Sequence, residues 1–524
     1  MTTLLLGGRI HAAGAPDATA MAVQDGTVVW VGQDGPAKAL YPDAEVVRLD
    51  GAFVAPAFVD PHVHATAAGL LLTGLDLTGC ATTADLLEAV RTAEGNTVWG
   101  HGWDETAWPE GRPPTRAEID AAAGGRLVYL SRIDVHSALV SSAAVGHAPD
   151  AVGAQGWDPV GPLSRDAHHR VRRVALQELS DQQRRAATLA FLRHAASRGV
   201  ASVHECAGPE ISGKQDLTDV LALGRADDLP DVVGYWGEAG AIELARELGL
   251  RGLAGDFFVD GAIGSRTAAL HQPYADADTS GHRYLEPGQI AEHLIDCTNA
   301  ELQAGFHVIG DAAVAAVVDG FAKAAETVGR DALAAARHRL EHVEMVTAEQ
   351  AERLASWGVI ASMQPMFDAA WGGPDGMYTQ RLGERGTSLN PFSMLARSGV
   401  VLAFGSDAPV TPVDPWRSVQ AAVHHRTPGS GVSARAAFTA HTRGGWRAAG
   451  VDDGVTGMLV PGAPATYAVW ETGDLVVAGS DSRVQRWSTD PRSGVPGLPA
   501  LDPGTELPTC VRTVLSGKTI FEKG

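Results

Sequence analysis

Through most of the chain, short apolar runs alternate with longer stretches rich in Ala, Leu, Glu and Arg, a pattern that predicts strands and helices in strict turn. The stretch around residue 190 shows the grammar. Ser180 offers a capping hydroxyl, Leu189, Phe191 and Leu192 mark the apolar side of a helix running to Arg198, Gly199 stops it, and Val200-Ala201-Ser202-Val203 opens a strand. Further strands are expected at Phe53 to Val59, Leu127 to Leu130, Val232 to Tyr235, Phe257 to Val259, Phe306 to Ile309, Arg339 to Glu341, Val359 to Met363 and Val400 to Phe404. Strands separated by helices lie parallel, covered on the outside by those helices.

Eight such units close into a ring, so the predicted fold class is α/β, a (β/α)8 TIM-like barrel over residues 57–451. Nine candidates are one too many, and one belongs to an excursion. The Trp- and Pro-rich stretch from about 99 to 173 reads as an insertion over the barrel mouth. The ends have another texture. Ala20-Met21-Ala22-Val23 and Thr27-Val28-Val29-Trp30-Val31 are β-like runs punctuated by Asp25-Gly26 and Asp34-Gly35, both expected as tight turns. Similar runs return at Gly457 to Val460, Thr466 to Trp470 and Cys510 to Leu515. Because chain ends commonly lie close in space, residues 1–56 and 452–524 are expected to form one small β-sandwich.

Composition narrows the class. With 45% hydrophobic and 20% charged residues, the 524-residue chain buries a large core, which excludes disorder and coiled coil. Its 41 Lys and Arg against 62 Asp and Glu give a net charge of −21 and no basic stripe, so a nucleic-acid partner is not expected. Four scattered cysteines encode neither a disulfide framework nor a zinc knuckle. No run approaches the roughly 20 apolar residues of a membrane span, and the first residues lack a basic leader, so a cytoplasmic protein without a membrane partner is expected. Charge alone leaves homo-oligomerisation open.

The chemistry is in the His and Asp residues. His62 and His64 follow an apolar run at i and i+2, so in an extended chain both imidazoles point one way, towards one metal ion. Alone the pair says little, since 19 His in 524 positions give about 0.7 such pairs by chance. Three more residues sit at the C-terminal ends of predicted strands, where barrels carry their chemistry: His307, His342 and Asp407. All five converge only if the sheet closes. The adjacent pairs His168-His169 and His424-His425 diverge on a strand and read as surface or packing residues.

The sequence Asp60-Pro61-His62-Val63-His64, then Asp260-Gly261 with Ser265-Arg266-Thr267-Ala268, His307-Val308-Ile309-Gly310-Asp311, Glu341-His342, Ser362-Met363-Gln364-Pro365 and Gly405-Ser406-Asp407-Ala408-Pro409 resembles the amidohydrolase superfamily. Within it, the branch containing N-substituted formamide deformylase is the nearest resemblance, and it runs nearly end to end. The resemblance implies a metal-dependent hydrolase cleaving a carbon–nitrogen bond, such as an N-substituted formamide or similar small amide, with a divalent metal, Zn2+ foremost, as cofactor. His62, His64 and Asp407 would bind one ion, and His307 and His342 a second ion or the water and substrate. Asp407 would be the general base, with His342 beside it in catalysis.

One position departs from that pattern. Binuclear members carry a carboxylated lysine four residues before the Asp-Gly, and here the residue is Asp256. Positions 256, 258 and 260 share a strand face, so Asp256 points the same way with a shorter side chain. A one-ion site is therefore expected over a two-ion site bridged by Asp256, with Glu205 as an alternative carboxylate. Trp99, Trp103 and Trp108, with Met366, Phe367 and Trp371, either wall an apolar pocket or pack the insertion; Trp103, His136, Arg266 and Gln364 are the candidate substrate contacts. The alternative functions are a one-metal heterocycle deaminase, weakened by the absence of a glutamate just after His307, and a barrel that has lost catalysis and serves as a binding protein.

Overall fold

The structure, a computed structural model, describes residues 1–476 and 496–524. Eight parallel strands form the central sheet: β1 (Phe58–Val63), β2 (Val200–Ala207), β3 (Asp231–Trp236), β4 (Gly252–Leu253), β5 (Gln303–Val308), β6 (Arg339–His342), β7 (Ile360–Met363) and β8 (Val401–Phe404). Each pairs with its sequence neighbour, from β1 through to β8. The ring closes just beyond the strand ends, where Val63 bridges Ala408 and the Asp407 amide donates to the His62 carbonyl at 2.9 Å. The sheet is thus a (β/α)8 barrel, and the metal-ligand candidates flank its seam.

The helix before β2 forms as its sequence dictates. Ser180 and Gln183 make a reciprocal capping box at the start of Asp181–Ser197, Phe191, Leu192 and Ala195 are buried against the barrel, and Gly199 adopts φ +77° at the stop. The ninth strand candidate is the excursion. Leu127–Arg132 is the middle strand of a separate five-stranded sheet with Leu163–Ser164, Ser137–Val140, Thr97–Trp103 and Leu75–Asp76. The Phe53 to Val59 run is divided between two sheets: Phe53–Pro56 leaves the barrel and pairs with Tyr467–Glu471.

That pairing joins the two ends of the chain. A four-stranded sheet from residues 2–48 faces a five-stranded sheet ordered Arg9–Ile10, Phe53–Pro56, Tyr467–Glu471, Thr509–Leu515, Lys518–Glu522, and Leu5, Met21, Val28, Val54, Tyr467 and Val514 fill the space between. Part of the expected 452–524 segment, residues 477–495, lies outside the described residues. The Asp25-Gly26 turn has φ +48° and +78°, as a tight hairpin requires. Asp34-Gly35 is not a turn but opens the helix Asp34–Leu40, because the Asp34 carboxylate accepts from Thr19 Oγ1 and the Gly7 amide. Gly457 to Val460 forms a loop that inserts Leu459 into the sandwich core.

Candidate metal centre

His62 lies within β1 and His64 just after it, and both imidazoles point inwards as the alternation of a strand requires. Asp407 follows β8 across the seam, and its Oδ1 lies 3.4 Å from His62 Nε2 and 3.3 Å from His64 Nε2. His307 on β5 and His342 at the end of β6 complete the ring, with His342 5.1 Å from His62 and 4.5 Å from His307 between ring centres. The five residues picked from strand ends thus meet in one place.

Asp256 meets them at the centre. Its Oδ1 is 3.4 Å from both His62 Nε2 and His307 Nδ1, and its Oδ2 is 3.2 Å from His64 Nε2. The backbone makes up for the short side chain. Leu253 pairs with Ala304 and Phe258 with His307, five steps along one strand against three along the other, so β4 carries a bulge. Gly255, at φ +77°, lies in that bulge with its Cα hydrogens facing Cys206, and the detour carries Asp256 inwards. The expected strand at Phe257 to Val259 does not form: only Phe258 bridges, its ring 5.0 Å from His307, while the Asp260 carboxylate accepts from the Ala269, Ile309 and Gly310 amides.

The donor set suits a divalent cation. His62 Nε2, His307 Nδ1 and Asp256 Oδ1 are buried and have no hydrogen-bond partner, although they converge on one another. Three groups of donors among the described residues, His62–His64–Asp407, His62–Asp256–His342 and His62–Cys206–Glu341, each have their ligand atoms within 4.8 Å of one another. Burial disfavours the His64 cation, yet the Asp256 and Asp407 carboxylates raise its pKa to about 9. Burial likewise opposes the Asp256 anion, but His62, His307 and His64 hold that carboxyl well below its ordinary range. The cluster is thus built around concentrated negative charge that attracts protons or a cation.

Neighbours fix the rings. His62 Nδ1 donates to Glu341 Oε2 at 2.9 Å, and Arg339 donates to the same carboxylate oxygen at 2.8 Å. Arg339 also donates to the Pro61 carbonyl and Ser362 Oγ. This arrangement leaves His62 Nε2 with its lone pair directed inwards. His342 Nδ1 pairs with Gln364 Oε1 at 2.8 Å, and burial with the neighbouring His307 lowers its pKa to about 3, so the ring stays neutral. Glu205 points elsewhere: its Oε2 accepts from the Ala65 amide at 2.7 Å, at the start of helix Ala65–Thr73.

Two cavities adjoin the cluster. A cleft of about 570 Å³ reaches Asp256 between the insertion helix Arg165–Gln177 and the loops after β2 and β3, lined by His169, Arg170, Gly208, Gly237, Phe258 and Tyr284. Asp407, His307 and His342 line a second, small cavity of about 20 Å³ with His136, Phe367 and Trp371. His136 stands 5.0 Å from His307, and burial lowers its pKa far below the usual histidine range.

Other sequence candidates lie away from these cavities. Trp103 is in the core of the insertion and donates to the Leu130 carbonyl, Trp99 stacks on Tyr129, and Trp108 donates to the Cys80 carbonyl. Packing claims all three, so the aromatic wall consists of Phe367 and Trp371. Arg266 forks onto Asp276 at 3.0 and 2.7 Å and borders neither cavity, because an ion pair satisfies its guanidinium. Gln364 holds His342 rather than presenting its amide to either cavity. His168 bonds Tyr129 and His425 bonds the Asn390 carbonyl, while His169 borders the cleft. Sequence reasoning gave Glu341 no role. The signal was present in Arg339-Leu340-Glu341, opposite charges at i and i+2 of a buried strand, which must face each other inside the barrel.

A barrel with this ring of His and Asp at the C-terminal ends of its strands defines a metal-dependent hydrolase, and similarity to known proteins gives the family. A model described as the amidohydrolase family matches residues 45–521, so the chain belongs to that family. A solved structure of an uncharacterized metal-dependent hydrolase from Pyrococcus furiosus is 28% identical, with a TM-score of 0.70 over 90% of this chain and 98% of its own. Protein LONG AFTER FAR-RED 3 of Arabidopsis thaliana is 28% identical over 87% of this chain and 84% of its own length. N-substituted formamide deformylase of Arthrobacter pascens is 24% identical over 78% and 81% respectively. The protein is a hydrolytic enzyme acting on carbon–nitrogen bonds other than peptide bonds. Among the described residues, no helix is long and apolar enough to cross a membrane.

Proposed function

We propose that the cluster holds one divalent cation, Zn2+ foremost, through His62, His64 and Asp407, and hydrolyses a small amide, with N-substituted formamides as the first substrates to try. The observation that carries this reading is the convergence of buried, unpartnered donor atoms at the barrel mouth. One ion is favoured over two because His62 belongs to all three donor groups. With Nδ1 committed to Glu341, it has a single lone pair left to give. When bound, such a cation supplies Lewis acidity, bringing the pKa of water at its open position to about 7 and polarising a carbonyl oxygen.

The protein's own groups do the rest. Asp407, beside both His62 and His64, takes a proton from the attacking water and returns it to the departing nitrogen. His342, neutral and held by Gln364, accepts a hydrogen bond from the water or an amide N–H. Asp256 balances the imidazoles from the cleft side. The deaminase reading lacks its acid, since Asp311 after His307 accepts from the His271 amide and starts the helix Asp311–Val328. Support for the formamide reading comes from the deformylase relative and from a cavity small enough for a compact acyl group.

Metal analysis of chelator-stripped, zinc-reloaded protein should give about one ion per chain, with amine released from a panel of N-substituted amides. His62→Ala and Asp407→Ala should abolish both. Zero ions after reloading, or no amine from any amide, would refute the proposal.

A further inference from the structure

The small cavity contains a polar group for which the reading above has no use. Its wall is largely apolar, with Ile309, Phe367, Trp371 and Val410, yet Glu344 and Tyr378 also line it, each only 2% exposed. Glu344 Oε2, Tyr378 Oη and, beside them, Asn390 Nδ2 are buried and face one another, the phenol and amide turned towards the carboxyl, but none makes a well-formed hydrogen bond among the described residues. Polar atoms so poorly paired carry a desolvation cost that their mutual contacts offset only in part.

The backbone is bent to bring Glu344 there. His342 and Val343 take φ +72° and +49° in succession, a left-handed conformation that neither residue type favours. The turn places both His342 and Glu344 on the same small cavity. With Asp256 bordering the wide cleft and Asp407 the small cavity, a scissile bond at the cluster places its larger substituent in about 570 Å³ and its smaller one in about 20 Å³.

We infer that Glu344, with Tyr378 and Asn390 beside it, is an acceptor subsite selecting substrates whose small, acyl-side group carries N–H donors, the carbamoyl group of an N-substituted urea being the compact example. This rests on the hydrolytic reading above and sharpens it. A formyl group offers Glu344 only a C–H and adds nothing to its weak contacts with Tyr378 and Asn390, whereas a carbamoyl NH2 supplies two donors for the remaining carboxyl lone pairs in the space of about one water. Sites built to hydrogen-bond a substrate group reject analogues that lack it far more strongly than apolar pockets do. For a monosubstituted urea, the bond between the carbonyl carbon and the substituted nitrogen breaks. Water gives its hydroxyl to that carbon and a proton to that nitrogen, releasing the amine and carbamic acid, which decomposes to carbon dioxide and ammonia.

The test compares N-benzylurea with N-benzylformamide, which share a leaving amine, on the zinc-loaded full chain. Benzylamine release gives the ratio of their kcat/KM values, and calorimetry gives each Kd independently of turnover. Wild type should favour the urea at least tenfold. Glu344→Leu should lower that ratio tenfold or more, chiefly through KM, and Glu344→Gln, which keeps the volume but replaces one acceptor with a donor, at least threefold. Metal content equal to wild type identifies a folded variant, and Glu344→Gln serves if the leucine variant does not fold. A ratio unchanged by substitution overturns the subsite while leaving amide hydrolysis standing. If neither compound is hydrolysed but benzylurea binding weakens tenfold in Glu344→Leu, the subsite stands and the hydrolytic reading falls. Equal Kd values for the two compounds in wild type overturn the subsite.

Discussion

At the scale of single residues, the centre depends on side chains that never face a substrate. Arg339 and Glu341 are both fully buried, and their ion pair fixes the His62 ring. Breaking one side of such a pair leaves an uncompensated charge costing about 3–5 kcal/mol. Glu341→Gln should therefore lower the thermal midpoint and weaken zinc binding 10–100-fold in a chelator competition, as loss of an orienting partner does. Zinc affinity equal to wild type would mean that His62 needs no such support. His62 and His64 were legible because two residues at the end of an apolar run must face the same way. Glu341 was not, since its task depends on β1 and β6 facing across a barrel that only the closed fold creates.

At the scale of elements, the decisive one is the short β4 with its bulge. A Cβ at position 255 would lie 2.8 Å from Cys206 Cβ, and φ +77° would be strained as well. Gly255→Ala should displace Asp256 and reduce amide turnover at least tenfold while leaving the far-ultraviolet circular dichroism of the barrel unchanged. Full activity would show that Asp256 does not need its present place. Helix Gly213–Leu223 offers a test by pH. Asp216 is buried with one oxygen on Thr66 Oγ1, and burial raises its pKa to about 6 from 3.8. The folded state thus holds this proton more tightly than the unfolded state. The associated stability is complete below pH 4 and lost as pH rises through 6, a cost of about 3 kcal/mol by pH 7. Asp216→Asn should accordingly raise the thermal midpoint at pH 7.5 but hardly at pH 4; equal shifts at both would refute the assignment. The 181–197 helix was legible because its cap and stop are local. The bulge of β4 was not, because its two extra residues are fixed by pairing with β5, and the insertion tryptophans were ambiguous because packing and pocket walls call for the same residue type.

At the scale of the molecule, the insertion is tied to the barrel by buried charge. Arg132 binds Asp104, Glu105 and Asp134 at 2.8–2.9 Å, Asp134 accepts from Ser265 Oγ, and Arg381 bridges Glu105 to Asp276. Arg132→Met leaves Asp104 and Asp134 without a cation and Glu105 on Arg381 alone, and amide hydrogen exchange over residues 127–140 should rise at least tenfold. Unchanged exchange there would mean that apolar packing alone holds the insertion. Barrel and sandwich were both readable from alternation along the chain, while the fifth strand of the insertion sheet, Leu75–Asp76, is too short to leave a pattern.

The sandwich also sets an order of events in the making of the protein. Phe53–Pro56 leads directly into β1, yet one of its two neighbours, Tyr467–Glu471, is translated roughly four hundred residues later. At about 5–20 residues per second, that delay lasts roughly 20–80 s, during which an apolar strand edge waits beside the ribosome with no partner. The sandwich is therefore completed only after Tyr467–Glu471 has been made, and a chain stalled before that point presents an unpaired apolar edge.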